Sequence, residues 1–226
     1  MIIDVFQHVP FEGPAAIADW ASRRGHTITV HRLYAQEALP NPARVQFLVV
    51  LGGPMSVNDP EAWLEDERRC IRAVIDRGLP VLGVCLGGQQ IARVLGAAVS
   101  AGTKEVGWLP IRLVSRRLSF LPEVMTPLHW HGEQFAIPSG AERLFESDGC
   151  ANQGFIYGER VVAFQFHMEA TRESVSRLLE ADSGYLDHKT YVQTSEQIAH
   201  FSIPDENHRV LFQLLDQLTA TRGSSL

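Results

Sequence analysis

Phe47-Leu-Val-Val-Leu51 is an unbroken apolar run, closed abruptly by Gly52-Gly53-Pro54. A strand with one face in water alternates apolar and polar residues. A run apolar on both faces must be covered on both, and helices packed on each side of a parallel sheet do this. The surrounding sequence has that rhythm. Residues 2–6, 27–33 and 80–85 read as further strands, while 14–24, a segment from Asp59-Pro60 to about Arg77, and 87–95 read as helices. Gly25 and Gly78 are placed to stop two of those helices. Asp59 is expected as the N-cap of the second, with Pro60 at its first position and Leu64, Ile71, Val74 and Ile75 on its core stripe.

Beyond Gly102 the texture changes. Segments 106–114, 127–131, 143–146, 154–157 and 161–167 alternate and are separated by turns, which predicts antiparallel strands added to the same sheet. Segments 171–180 and 204–219 read as closing helices, and 222–226 as a frayed end. No repeat or linker interrupts the chain. The expected fold class is α/β: one domain over 1–226, a mainly parallel open sheet with flanking helices and an antiparallel extension, flavodoxin-like in layout.

Composition narrows the function classes. The 226 residues are 45% hydrophobic and 20% charged, enough for one such domain. A formal net charge of -6 disfavours nucleic acid or an anionic membrane as partner. Three cysteines, Cys70, Cys85 and Cys150, are too few and too odd for a disulfide framework, so a cytoplasmic setting is expected. Asp4 breaks the apolar start that a leader needs, and no run approaches the ~20 apolar residues of a membrane span.

Chemistry concentrates at Gly83-Val84-Cys85-Leu86-Gly87, where small residues stand two before and two after a cysteine at a strand-to-helix junction. That is the spacing of a nucleophile elbow with Cys in place of Ser. So sharp a turn needs neighbours without Cβ atoms, and it presents the sulfur at the top of the sheet. The positive end of the following helix favours thiolate, and the Leu86 N–H is placed as an oxyanion donor. Cys70, inside a helix, and Cys150, at a turn, have no such setting. At the end of another apolar strand stands Gln165-Phe-His167-Met-Glu169. A cysteine hydrolase needs a histidine to move the thiol proton and a third group to hold the imidazole, and His167 with Glu169 supplies both. Of the other histidines, His8, His26, His31, His129, His188, His200 and His208 read as surface, turn or packing residues, and His131 lies in an aromatic polar cluster. His129-x-His131 by itself is a weak metal signal, and neither metal nor cofactor is expected.

Five ordered blocks then carry a resemblance: Leu51-Gly-Gly-Pro54, Gly83-Val-Cys-Leu-Gly-Gly-Gln89, Glu105-Val-Gly-Trp108, His129-Trp-His-Gly-Glu133 and Gln165-Phe-His-Met-Glu169. Together they make the chain resemble the class I glutamine amidotransferases, in particular the glutaminase domain of GMP synthase and free-standing proteins like it. The resemblance implies that Cys85 attacks the side-chain amide of glutamine, that His167 protonates the departing ammonia, and that water cleaves the γ-glutamyl thioester. It implies that Glu169 orients His167 and that Gly53 gives a second oxyanion N–H beside Leu86. Gln89 and the segment His131, Gly132 and Glu133 would hold the amino-acid end of the substrate. Two positions depart from the family pattern: Gly88 stands where His is usual, and Met168 where Pro is usual. Neither the Ser-Gly-Gly-x-Asp-Ser loop of a pyrophosphatase nor Gly-x4-Gly-Lys-Ser/Thr occurs, and 59 residues follow His167. Ammonia is therefore expected to pass to a separate synthetase subunit or to be released. Two alternatives stay open: a γ-glutamyl amide or peptide hydrolase in catabolism, and a catalytically silent regulatory module.

Overall fold

The computed structural model describes residues 1–187 and 189–220; the frayed end expected at 222–226, and His188, lie outside the described residues. In chain order the strands are β1 (Ile2–Gln7), β2 (Thr27–Arg32), β3 (Leu48–Val50), β4 (Val81–Val84), β5 (Val99–Trp108), β6 (Ile111–Leu113), β7 (Val124–Met125), β8 (Leu128–Phe135), β9 (Ala141–Glu146), β10 (Gly154–Tyr157) and β11 (Val161–Phe164). The α-helices are α1 (Ala16–Arg23), α2 (Ala62–Asp76), α3 (Leu86–Val94), α4 (Arg172–Asp182), α5 (Ser195–His200) and α6 (Asp205–Thr219).

Nine strands form one sheet in the order β2-β1-β3-β4-β11-β10-β9-β6-β7. The first five run parallel, and β10 turns the direction, pairing antiparallel with both β11 and β9. Side chains of the parallel strands alternate between two cores, as a period of two demands. Ile3, Val5, Val49, Leu51, Leu82, Val84, Val162 and Phe164 face α1 and α6, meeting Ile17 and Trp20 of the one and Val210, Leu214 and Leu218 of the other. Phe6, Leu48, Val50, Val81, Val161 and Ala163 face α2 and α3, meeting Ile71, Val74 and Ile91. The unbroken apolar runs are thus strands covered on both sides.

Three local expectations are corrected. Segment 161–167 was expected to join antiparallel; β11 instead lies parallel beside β4, in register Val161↔Val81 to Phe164↔Val84. Its near-continuous apolar sequence suits that central position, with helices on both faces. Segments 106–114 and 127–131 do not extend the main sheet as one piece. β5 and β8 leave it as a separate antiparallel pair, from Val99↔Phe135 to Trp108↔Leu128, and only the short β6 returns beside β9. The pair packs through Val106, Trp108, Leu128 and Trp130 on α4 and α5, making a third core. Finally, Asp59 does not cap α2. Its carboxylate accepts from the Ser56 N–H at 2.8 Å, inside the preceding loop, and the helix starts after Glu61 with no side-chain cap. Gly25 and Gly78, both at φ 68°, do end α1 and α2. No described helix is long and apolar enough to cross a membrane.

Candidate active site

The C-terminal ends of β1, β3, β4 and β11 meet at one edge of the sheet, where open α/β folds build their sites. β1 delivers His8 and Glu12, β3 the Gly52-Gly53 loop, β4 Cys85, and β11 His167 and Glu169.

Cys85 stands between β4 and α3 at φ 51°, ψ -111°, a conformation that L-residues rarely adopt. The surroundings enforce it. A Cβ on Gly87 would come within 2.0 Å of the Val50 carbonyl oxygen, and one on Gly83 within 2.6 Å of the Gly87 carbonyl oxygen. Both glycines let backbone pass where a side chain cannot, as the elbow spacing requires. Gly88, where the family pattern has His, has the Phe164 carbonyl oxygen 2.7 Å from where its Cβ would be. The departure is therefore built into the packing of α3 on β11. The Cys85 thiol points to the Trp130 carbonyl at 3.7 Å and opens on a cleft of about 200 Å³.

His167 and Glu169 lie together. His167 Nδ1 and Glu169 Oε1 are 2.7 Å apart, and both side chains are buried. Among the described residues, Nε2 has no protein partner at hydrogen-bond geometry. Burial alone would lower the imidazole pKa. The Glu169 charge, then Cys85 beside the ring, outweigh it and hold His167 well above its ordinary value. His167 can therefore exist as an imidazolium beside the Cys85 sulfur, with the carboxylate fixing the ring. Cys70 and Cys150 differ: burial, the largest cause, pushes each thiol up to about 11.

Among the remaining expected residues, Gly53, Gln89, His131, Gly132 and Glu133 all line the cleft. Leu86 is adjacent, its Cδ2 3.1 Å from where a Gly53 Cβ would lie. Among the described residues, neither the Gly53 nor the Leu86 amide donates to another group. Glu133 Oε1 accepts from Ser56 Oγ at 2.8 Å, tying β8 to the loop after β3. The His131 ring turns toward the interior, Nδ1 on the Glu133 carbonyl at 3.1 Å and Nε2 3.4 Å from Glu105 Oε2.

Behind His131, the groups of Glu105, His129 and His131 come within 4.8 Å of one another, a donor set a metal could use. The Gln153 amide fills their centre. Its Nε2 lies 2.6 Å from Glu105 Oε2, 2.9 Å from Ser147 Oγ and 3.4 Å from each imidazole. Burial pushes His129 down to about 3, so its ring is neutral there. This buried network braces β5 against β8 and the turn at Ser147.

Four contributors were missed from sequence. Glu12 lines the cleft and crowds Gly52 and the His167 ring. Burial lifts its carboxyl above the ordinary range, the His167 charge opposing. Asp182 accepts from Trp130 Nε1 at 2.9 Å, and Tyr185 stacks on Trp130, so the end of α4 forms the far wall. None of these follows a motif. The fourth, His8, is fully buried and holds the Gly52 carbonyl.

A family model, that of the class I glutamine amidotransferases, matches residues 15–182. A Salmonella typhimurium protein named glutamine amidotransferase-like protein YfeJ is 35% identical over 230 residues, 94% of this chain and 95% of its own. The solved structure of a glutamine amidotransferase from Thermotoga maritima superposes with a TM-score of 0.84 at 30% identity, over 96% of each chain. A GMP synthase of Mycobacterium marinum is 35% identical over 148 residues, 64% of this chain but 26% of that longer protein.

Proposed function

We propose, from the premise that this chain belongs to the class I glutamine amidotransferase family, that it hydrolyses a γ-glutamyl amide through a thioester on Cys85. The observation that carries this reading is the strained Cys85 elbow opening on the same cleft edge as the buried His167–Glu169 pair. The Cys85 thiolate attacks the γ-carbonyl carbon, and the Gly53 and Leu86 amides receive the oxyanion. The C–N bond then breaks as the imidazolium of His167 gives its proton to the leaving nitrogen. Water, deprotonated by the now neutral imidazole, attacks the thioester and releases glutamate. The proton that His167 gives to the leaving nitrogen is restored from water in the second half-reaction.

Glutamine is the substrate class that family membership favours. The cleft suits it in charge: Glu133, with Glu12 and Asp182 nearby, offers carboxylates to an α-ammonium group. Ammonia then goes to a separate acceptor protein or to solvent. The competing reading within the same chemistry is a degradative enzyme that cleaves γ-glutamyl amines.

A steady-state screen of the isolated protein separates them, with glutamate release measured from glutamine and from a panel of γ-glutamyl amines. Slow release from glutamine, stimulated by a partner synthetase, is the expected result, since a site held ~1 Å out of place loses about 10²-fold. Cleavage of a γ-glutamyl amine at an ordinary kcat, ~1–10³ s⁻¹, with glutamine ignored, would instead establish the degradative role.

A further inference from the structure

His8 stands at the end of β1, on the far side of the Gly52-Gly53 loop from the cleft, with its ring wholly enclosed. Nδ1 lies 3.0 Å from the Gly52 carbonyl oxygen and Nε2 2.9 Å from Glu67 Oε1. The Gly52 oxygen can only accept, so Nδ1 carries a proton, and Nε2 shares another with Glu67 in a buried hydrogen-bonded ion pair. Burial lowers the His8 pKa, but Glu67 more than offsets this and the value is raised, in accord with that geometry. Glu67 Oε2 in turn accepts from Gln90 Nε2 at 2.6 Å, and Gln90 Oε1 accepts from Arg68 at 3.0 Å. Gln90 belongs to α3, the helix that begins at Leu86.

A charged pair at 0% exposure is costly for stability, since each ion gives up its hydration. Its cost makes sense where the pair orients something. The Gly52–Gly53 peptide is trans, and in a planar trans peptide the carbonyl and the following N–H point in opposite directions. Holding the Gly52 oxygen toward His8 therefore aims the Gly53 N–H the other way, into the cleft. Two glycines in sequence would otherwise let this peptide rotate freely. Trp63 against the His8 ring, with centroids 5.8 Å apart, closes the remaining space.

We infer that His8 and Glu67 are positioning residues for the oxyanion site, their buried ion pair locking the Gly52–Gly53 peptide in its donating orientation and linking it through Gln90 to the helix that carries the Leu86 donor. Neither residue touches the substrate. The inference rests on the proposed role of the Gly53 amide as an oxyanion donor, and its test separates the two.

The test uses His8→Phe/Glu67→Gln, which keeps a planar ring and leaves no unpaired buried charge, beside Glu67→Gln alone in case the larger ring makes the double variant fold poorly. Four properties are measured against the parent: kcat and KM for the cleaved substrate, affinity for glutamate γ-semialdehyde, alkylation of Cys85 by a glutamine diazo-ketone, and the crystal structure. The semialdehyde forms a thiohemiacetal whose oxygen needs the donors, whereas the diazo-ketone reads only thiolate and binding. In the double variant, kcat and semialdehyde affinity fall together by about 10- to 100-fold, KM and alkylation stay within about threefold, and the Gly52 carbonyl turns from its parent direction. Glu67→Gln gives a smaller loss of the same pattern. Unchanged semialdehyde affinity, or a Gly52–Gly53 peptide that stays in place without His8, overturns the inference. A parent whose Cys85 is neither alkylated nor acylated would instead count against the hydrolase reading, with the peptide's orientation in the variant crystal still deciding the positioning claim.

Discussion

Cys85→Ala is expected to lose about 10³-fold or more in kcat while its melting temperature stays near that of the parent. The proposed thioester needs the sulfur, and no neighbour can replace it: Cys70 and Cys150 lie in other parts of the core, and neither lines the cleft. Stability should hold because the change is small and local. The strain at Cys85 is in the backbone, at φ 51°, and Ala adopts that conformation no more and no less easily than Cys. The thiol's hydrogen bond is to the Trp130 carbonyl at 3.7 Å, and Trp130 lines the cleft. Turnover retained in Cys85→Ala, measured as glutamate release, would remove the thioester from the mechanism.

Glu169→Gln is expected to lose about 10²- to 10⁴-fold in kcat/KM and to shift the alkaline limb of its pH profile to lower pH. The substitution preserves shape but removes the charge that does most to raise His167 against its burial. With that charge gone, burial governs, and the imidazole falls toward or below its ordinary value of about 6.5. Stability changes with the same sign. In the parent, the folded His167 value lies above that of the unfolded chain. Its contribution is thus fully present below about pH 6.5 and is lost as pH rises through the raised folded value. In Glu169→Gln that pH-dependent part of the stability should disappear from the window above about pH 6.5. Denaturant titrations at a series of pH values, alongside kinetics, would check both limbs. An unchanged alkaline limb would mean that Glu169 does not set the ionisation of His167.

Much of this arrangement was legible in the residues because it is local. Apolar runs such as Phe47–Leu51 announce burial on both faces, and Gly83 and Gly87 around Cys85 announce a tight elbow, since both signals are spelled out within a few adjacent positions. The pairing partners of strands were harder. Alternation marks 106–114 and 127–131 as extended, but not that the strands span 99–108 and 128–135, pair with each other and leave the main sheet, which packing on α4 and α5 decides. Helix α5 was overlooked, although Thr194-Ser-Glu-Gln197 spells a capping box, and Thr194 and Gln197 do satisfy each other's backbone N–H. Asp59-Pro60 looked like a helix start because that pair often is one, yet the Asp59 carboxylate found the nearer Ser56 amide. His8 and Glu67 lie 59 positions apart, and Glu12 meets His167 only through folding, so no spacing rule could have joined them.

The central claim is that Cys85, among three cysteines, is the reactive thiol of a site that recognises a γ-glutamyl group. Incubation with a diazo-ketone analogue of glutamine, followed by intact-mass measurement and peptide mapping, tests it without requiring turnover or a partner. One adduct per chain, on Cys85 alone, and suppressed by excess glutamine, is the predicted result: Cys85 opens on the cleft, whereas the other two thiols lie away from it and are pushed up to about 11. Labelling chiefly at Cys70 or Cys150, or no labelling of Cys85, would contradict it.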